Sequence, residues 1–131
     1  MLIQSIALGN NAQQLDLDGD GQLTLADRDI WLDVAGSQNL GSGRSYLLGD
    51  ANLDGIVDVS DFNLWNVNKF TQSLKWCEAN FNADQLVDVS DFNIWNANKF
   101  QSARPVPEPG FSSLLLLALS GVLLRRSDEV A

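Results

Sequence analysis

The sequence predicts a small, mainly α protein of tandem loop–helix units, with a separate hydrophobic helix near its C-terminus. Three observations predict it. Oxygen-bearing side chains recur at alternate positions in three short stretches, 16–27, 50–61 and 80–91. Each stretch runs into roughly three turns of sequence with helical apolar spacing. Two of the units are near-copies offset by thirty residues: Asp58–Phe70 reads DVSDFNLWNVNKF and Asp88–Phe100 reads DVSDFNIWNANKF, differing only at Leu64/Ile94 and Val67/Ala97.

Composition narrows the chemistry. The chain has 131 residues, enough for one small domain with tails. It has no histidine, which removes Ser-His-Asp and Cys-His catalysis and most zinc or iron sites. Its single cysteine, Cys77, has no partner for an internal disulfide and reads as a small buried filler. The formal charge is −9, and the fourteen acids and five bases between Asp16 and Lys99 account for all of it. Such a surface repels nucleic acid, whose binding rests on neutralised phosphates. A core drawn from this length is marginal, so a metal that binds only the folded chain would supply missing stability.

From the N-terminus, residues 1–15 lack the basic start and the length of a signal peptide, and read as the end of a longer exported protein. The first loop follows the pattern D-x-D-x-D-G, with Asp16, Asp18, Asp20 and Gly21, then Thr24 and Asp27. The second carries Asp50, Asn52, Asp54 and Gly55, then Asp58 and Asp61. The third is decayed: Asn80, Asn82 and Asp84, with Gln85 at the glycine position, then Asp88 and Asp91. Oxygens at positions 1, 3, 5, 9 and 12, with a backbone carbonyl at 7, surround a hard cation that takes many oxygen ligands. Calcium is expected in the first two loops, and the third is expected to be weak or vacant. Asn80 removes a charge there, and Gln85 must adopt a backbone shape that glycine takes freely, at a cost of roughly 1 kcal/mol. Carboxylates alternating on a tight turn converge on one point, which suits chelation better than glycosidase chemistry.

After each loop, Ser60 and Ser90 are expected helix N-caps, with Asp61 and Asp91 favourable in the first turn. Phe62, Trp65 and Lys69 fall on one helix face, with Leu64 near the opposite side. Trp31, Trp65 and Trp95 recur at one helix position and read as core rather than as a sugar-stacking surface. Lys69 and Lys99 read as stems laid over aromatic surface. The first helix is expected to end at Gly36, and the Gly- and Ser-rich stretch 36–49 to be non-helical. The apolar position 8 of each loop, Leu23, Val57 and Val87, suits a short strand contact between loops. No helix is evident before any loop, which argues against a calcium sensor that swings open.

The tail differs in kind. Residues 101–110 form a proline-rich linker; 111–126 comprise an apolar run, Phe111–Leu124, closed by Arg125 and Arg126. That run is short of the ~20 residues of a full span, and its trailing arginines place the C-terminus inside and all that precedes it outside.

The repeats, D-x-D-x-D-G-x-L-x-x-x-D at Asp16–Asp27 and D-x-N-x-D-G-x-V-D-x-x-D at Asp50–Asp61, resemble the dockerin type I family of EF-hand-like calcium half-hands, over roughly residues 16–100. The resemblance implies as ligands Asp16, Asp18, Asp20, Gln22 (carbonyl) and Asp27, then Asp50, Asn52, Asp54, Ile56 (carbonyl) and Asp61. Thr24 and Asp58 would act through water. By extension the third loop would use Asn80, Asn82, Asp84, Leu86 (carbonyl), Asp88 and Asp91. It also implies a cohesin-like protein partner, met at loop positions 10 and 11: Val59, Ser60, Val89 and Ser90. Two features depart from the family: three copies rather than two, and helices reading W-N-x-N-K-F rather than rich in Lys and Arg. The tail is similar to the PEP-CTERM sorting signal, with Pro107, Glu108 and Pro109, the apolar segment, then Arg125 and Arg126. It implies bacterial export, anchoring in the membrane through 111–124, and an exosortase-type membrane protease. The expected product is a non-catalytic calcium module at the cell envelope, surface or outside the cell, joined to a polysaccharide-degrading system or serving as a stalk.

Overall fold

The structure is a computed structural model and describes residues 1–103. Four α-helices dominate it: α1 (Leu2–Leu8), α2 (Leu25–Asn39), α3 (Val59–Asn68) and α4 (Val89–Asn98), with 3-10 turns at Gln13–Leu15 and Trp76–Glu78. The mainly α expectation holds for these residues. Among them no helix is long and apolar enough to cross a membrane. The linker from residue 104 onward, the hydrophobic segment 111–126 and the sorting residues Pro107, Glu108, Pro109, Arg125 and Arg126 lie outside the described residues.

The two near-identical units face each other as a reciprocal pair. Trp65 donates its indole N–H to the carbonyl of Asp88 (2.8 Å), and Trp95 donates to that of Asp58 (2.9 Å). Phe62, Trp65, Phe92 and Trp95 form one aromatic cluster, with Trp65–Phe92 and Phe62–Trp95 centroids 5.1 and 5.2 Å apart. The indoles are therefore core, each with its one polar atom satisfied. Lys69 reaches over the Trp65 ring at 5.9 Å, as its amphipathic stem suggests.

Strand pairing is crossed rather than loop to loop, which corrects the sequence expectation. Val57 donates to Gln101 and accepts from Phe100; Val87 donates to Thr71 and accepts from Phe70. Each loop is thus tied to the segment that leaves the other unit's helix. Both valines are fully buried, so position 8 does enter the core. The contact also holds residues 101–103 onto the fold, since Ala103 donates to Gly55 (2.7 Å), and the linker begins later than expected.

The W-N-x-N-K-F ending acts as a helix stop. Asn68 and Asn98 donate to the carbonyls of Leu64 and Ile94, both at 2.8 Å, folding their side chains back onto the last turn of their helices. Phe70 and Phe100 then take φ 63° and 66°, turning the chain into the crossed pairing.

Further expectations need correction. The helix caps are Thr24, Asp58 and Asp88, not Ser60 and Ser90, which sit two residues inside; their N–H groups are what Asp58 and Asp88 accept. α2 does not end at Gly36 but runs to Asn39. Gly36 is needed for close approach: a Cβ there would lie 2.4 Å from the backbone nitrogen of Tyr46, which donates to Leu32 in the same helix. The N-terminal segment is part of the same core, with Leu2 and Ile3 buried and α1 packed on α2. Cys77 is exposed, because Trp76 takes the inward position of that short turn. Trp31 is half-buried; it stacks on Tyr46 and meets Trp76 edge-on instead of repeating the Trp65 contact.

Candidate metal centre

All three loops follow one backbone track. Position 4 is left-handed in each, at Gly19 (φ 75°), Leu53 (56°) and Ala83 (58°), and so is position 6, at Gly21 (85°), Gly55 (86°) and Gln85 (74°). Only glycine takes this shape without strain, so Gln85 bears the cost its sequence position implied.

Position 12 anchors each loop. Asp27, Asp61 and Asp91 are completely buried. Asp27 accepts from the N–H groups of Leu17 (2.6 Å) and Thr24 (2.7 Å). Asp61 accepts from Asn52 (3.2 Å) and Asp58 (2.8 Å), and Asp91 from Phe81 (2.7 Å) and Asp88 (3.0 Å). Position 12 thereby ties the first turn of the loop to the helix start. With position 9 it also completes a capping box, in which Thr24, Asp58 and Asp88 accept from residues 26, 60 and 90.

Position 1 closes the turn from the other side. Asp16 accepts from Gly19 and Gly21, both at 2.8 Å, and the buried Asp50 accepts from Asp54 (3.2 Å) and Gly55 (2.9 Å). Position 5 steers position 7: Asp20, Asp54 and Asp84 accept from Gln22, Ile56 and Leu86. In the first loop, carboxylate oxygens of Asp16, Asp18 and Asp27 lie within 4.8 Å of one another. The donors are all hard oxygen atoms on a tight turn, which fits calcium and not a thiolate- or imidazole-seeking metal. The carbonyl ligands expected at Gln22, Ile56 and Leu86 sit on this track by position. Val59 and Val89 are exposed, as are Ser60 and Ser90.

Burial sets the electrostatics. Asp50 is pushed up from the ordinary 3.8 to about 6, chiefly by burial, with the Asp61 charge adding to it. Burial also raises Asp61 and Asp91. Asp27 is instead held below the ordinary value, first by the Thr24 N–H and further by those of Leu17 and Asp18.

A pH dependence follows. A folded acid with a raised pKa keeps its proton better than the unfolded chain does. The metal-free protein should therefore lose stability as pH rises from about 4 to about 6, and level off above. Calcium needs the deprotonated ligand, so its affinity for the second loop should fall roughly tenfold per unit below about pH 6. The first loop should lose less, because its position-12 carboxylate, Asp27, is held low and only Asp18 there is raised. Calcium titrations at about pH 5 and 7, comparing Asp20→Ala with Asp54→Ala chains, check this; equal losses at both loops would refute it.

Compared with family models, curated proteins and solved structures, the chain matches none.

Proposed function

We propose that the chain is a non-catalytic, calcium-folded, dockerin-like interaction module of an exported, envelope-sorted bacterial protein. The observation that carries this reading is the buried aspartate at position 12 of every loop, which joins loop, helix start and core through the same carboxylate. Bound calcium would supply the positive charge that such carboxylates lack. The protein's own residues do the rest: capping boxes start the helices, and the crossed pairing locks α3 to α4.

The docking role is supported by apolar side chains left exposed in two equivalent places. Val59 and Val89 are 58 % and 54 % exposed, and Phe70 and Phe100 are 67 % and 73 % exposed. Exposed hydrophobic side chains repeated at matching positions suit a protein partner. The apolar run and arginines of the tail support sorting to the envelope, and the polysaccharide context rests on the dockerin resemblance alone.

One observation favours a second reading, a calcium-rigidified stalk with no partner. Lys69 and Lys99 donate to Asn66 and Asn96 on their own helices, at 2.7 and 2.8 Å, and are not held out for an opposing surface. Capture of a cohesin-like protein from envelope extract separates the two. Recovery with calcium, loss with EDTA and loss on Val59→Asp with Val89→Asp are expected for docking; calcium-independent or absent capture rejects it.

A further inference from the structure

We propose that the decayed loop, residues 80–91, is a third site for a hard divalent cation, with the side-chain oxygen of Asn80 as its first ligand. The proposal rests on reading the other two loops as calcium sites, and extends it to a loop whose sequence argues against binding.

Among the described residues, one buried side-chain polar atom has no hydrogen-bond partner, and it is Asn80 Oδ1. Asn80 is completely buried. Its amide nitrogen donates to the Ser73 carbonyl at 2.7 Å. A carbonyl only accepts, so this contact fixes which end of the amide faces Ser73 and leaves the oxygen on the other side. The equivalent side chain, Asp50, uses its oxygens on the N–H groups of its own loop, whereas Asn80 receives none. A buried unpaired acceptor is costly, and a cation at this position satisfies it.

The remaining donors stand as in the second loop. Asn82 Oδ1 accepts from Asp84 (3.2 Å) as Asn52 Oδ1 does from Asp54 (3.2 Å), and Asp91 is buried like Asp61. At positions 1, 3, 5 and 12 the carboxylates number four, three and two across the three loops. Affinity should fall in that order, since charge count tunes such sites.

This loop also holds the N-terminal part of the protein. Gln85, the residue in place of glycine, donates to the Ala7 carbonyl of α1 (2.7 Å), and Arg28 of α2 donates to the Phe81 carbonyl (2.9 Å). Ordering the loop therefore fastens α1 and α2.

The test is a calorimetric titration of calcium chloride into the full chain in detergent, as wild type, Asp84→Ala and Asn80→Asp. Three ions are expected for wild type and two for Asp84→Ala. Asn80→Asp should tighten the weakest site roughly tenfold. Calcium should also slow amide exchange in residues 2–8 of wild type, and less so in Asp84→Ala. Two ions in both wild type and Asp84→Ala overturn this proposal while sparing the calcium reading. No ions in any chain overturn that reading itself.

Discussion

Stripping calcium from the full chain with excess EDTA is expected to collapse most of its helical circular dichroism and its cooperative melting. The reason lies in where the carboxylates sit. Asp50, Asp61 and Asp91 are completely buried, and burial opposes their ionisation. For Asp50 the rise to about 6 corresponds to roughly 3 kcal/mol at neutral pH. A domain of this size has a net stability of only about 5–15 kcal/mol, and small ones lie low in that range. Burial at Asp61 and Asp91 acts in the same direction. Adding calcium back to about a hundred times its dissociation constant returns roughly 2.7 kcal/mol per site. Superimposable melting curves with and without EDTA would reject the metal-coupled fold.

Trp95→Ala is expected to cost about 3–5 kcal/mol, enough to unfold the chain unless calcium is saturating. The indole fills the centre of the aromatic cluster, touching both Phe62 and Phe92. Its loss also removes one of the two hydrogen bonds to the Asp58 carbonyl, leaving that from the Phe62 N–H (3.2 Å); Asp58 caps α3 and carries the ninth loop position. Trp95→Phe keeps most of the volume and drops the hydrogen bond, so it should cost about 1–2 kcal/mol. Trp65 should give matching values, because its contacts mirror those of Trp95. Urea denaturation of the two pairs checks both numbers and the equivalence; a large asymmetry would argue against the reciprocal pairing.

Much of this arrangement was legible in the residues, and the misses have physical causes. The loop turns could be read because their spacing is narrow: the glycines fall at the left-handed sixth position, and all three loops share the left-handed fourth and sixth positions. The indoles could be placed in the core because the same residue recurs at the same helical position. The caps are hard to read because Ser60 and Ser90 are good capping residues, while Asp58 and Asp88 also hold the ninth loop position. One aspartate does both, accepting from residue 60 or 90 as part of the loop. Gly36 looked like a helix end, but its missing side chain serves a contact with Tyr46, which local sequence does not encode. α1 left a weak signal, Leu2, Ile3, Ile6 and Ala7 on one helical stripe, in a segment too short to stand out. The crossed pairing could not be read at all, since both alternatives use the same two valines.

That exchange of segments has a consequence for how the molecule could arise. Each half offers its neighbour the same surface that it receives, so a single thirty-residue unit already contains both sides of the joint. Two separate chains could clasp each other this way. Placing the copies in tandem turns that encounter into an intramolecular one, at an effective concentration on the order of millimolar for a short tether. A self-associating ancestral peptide, doubled within one gene, needs no new contact to become the α3–α4 pair.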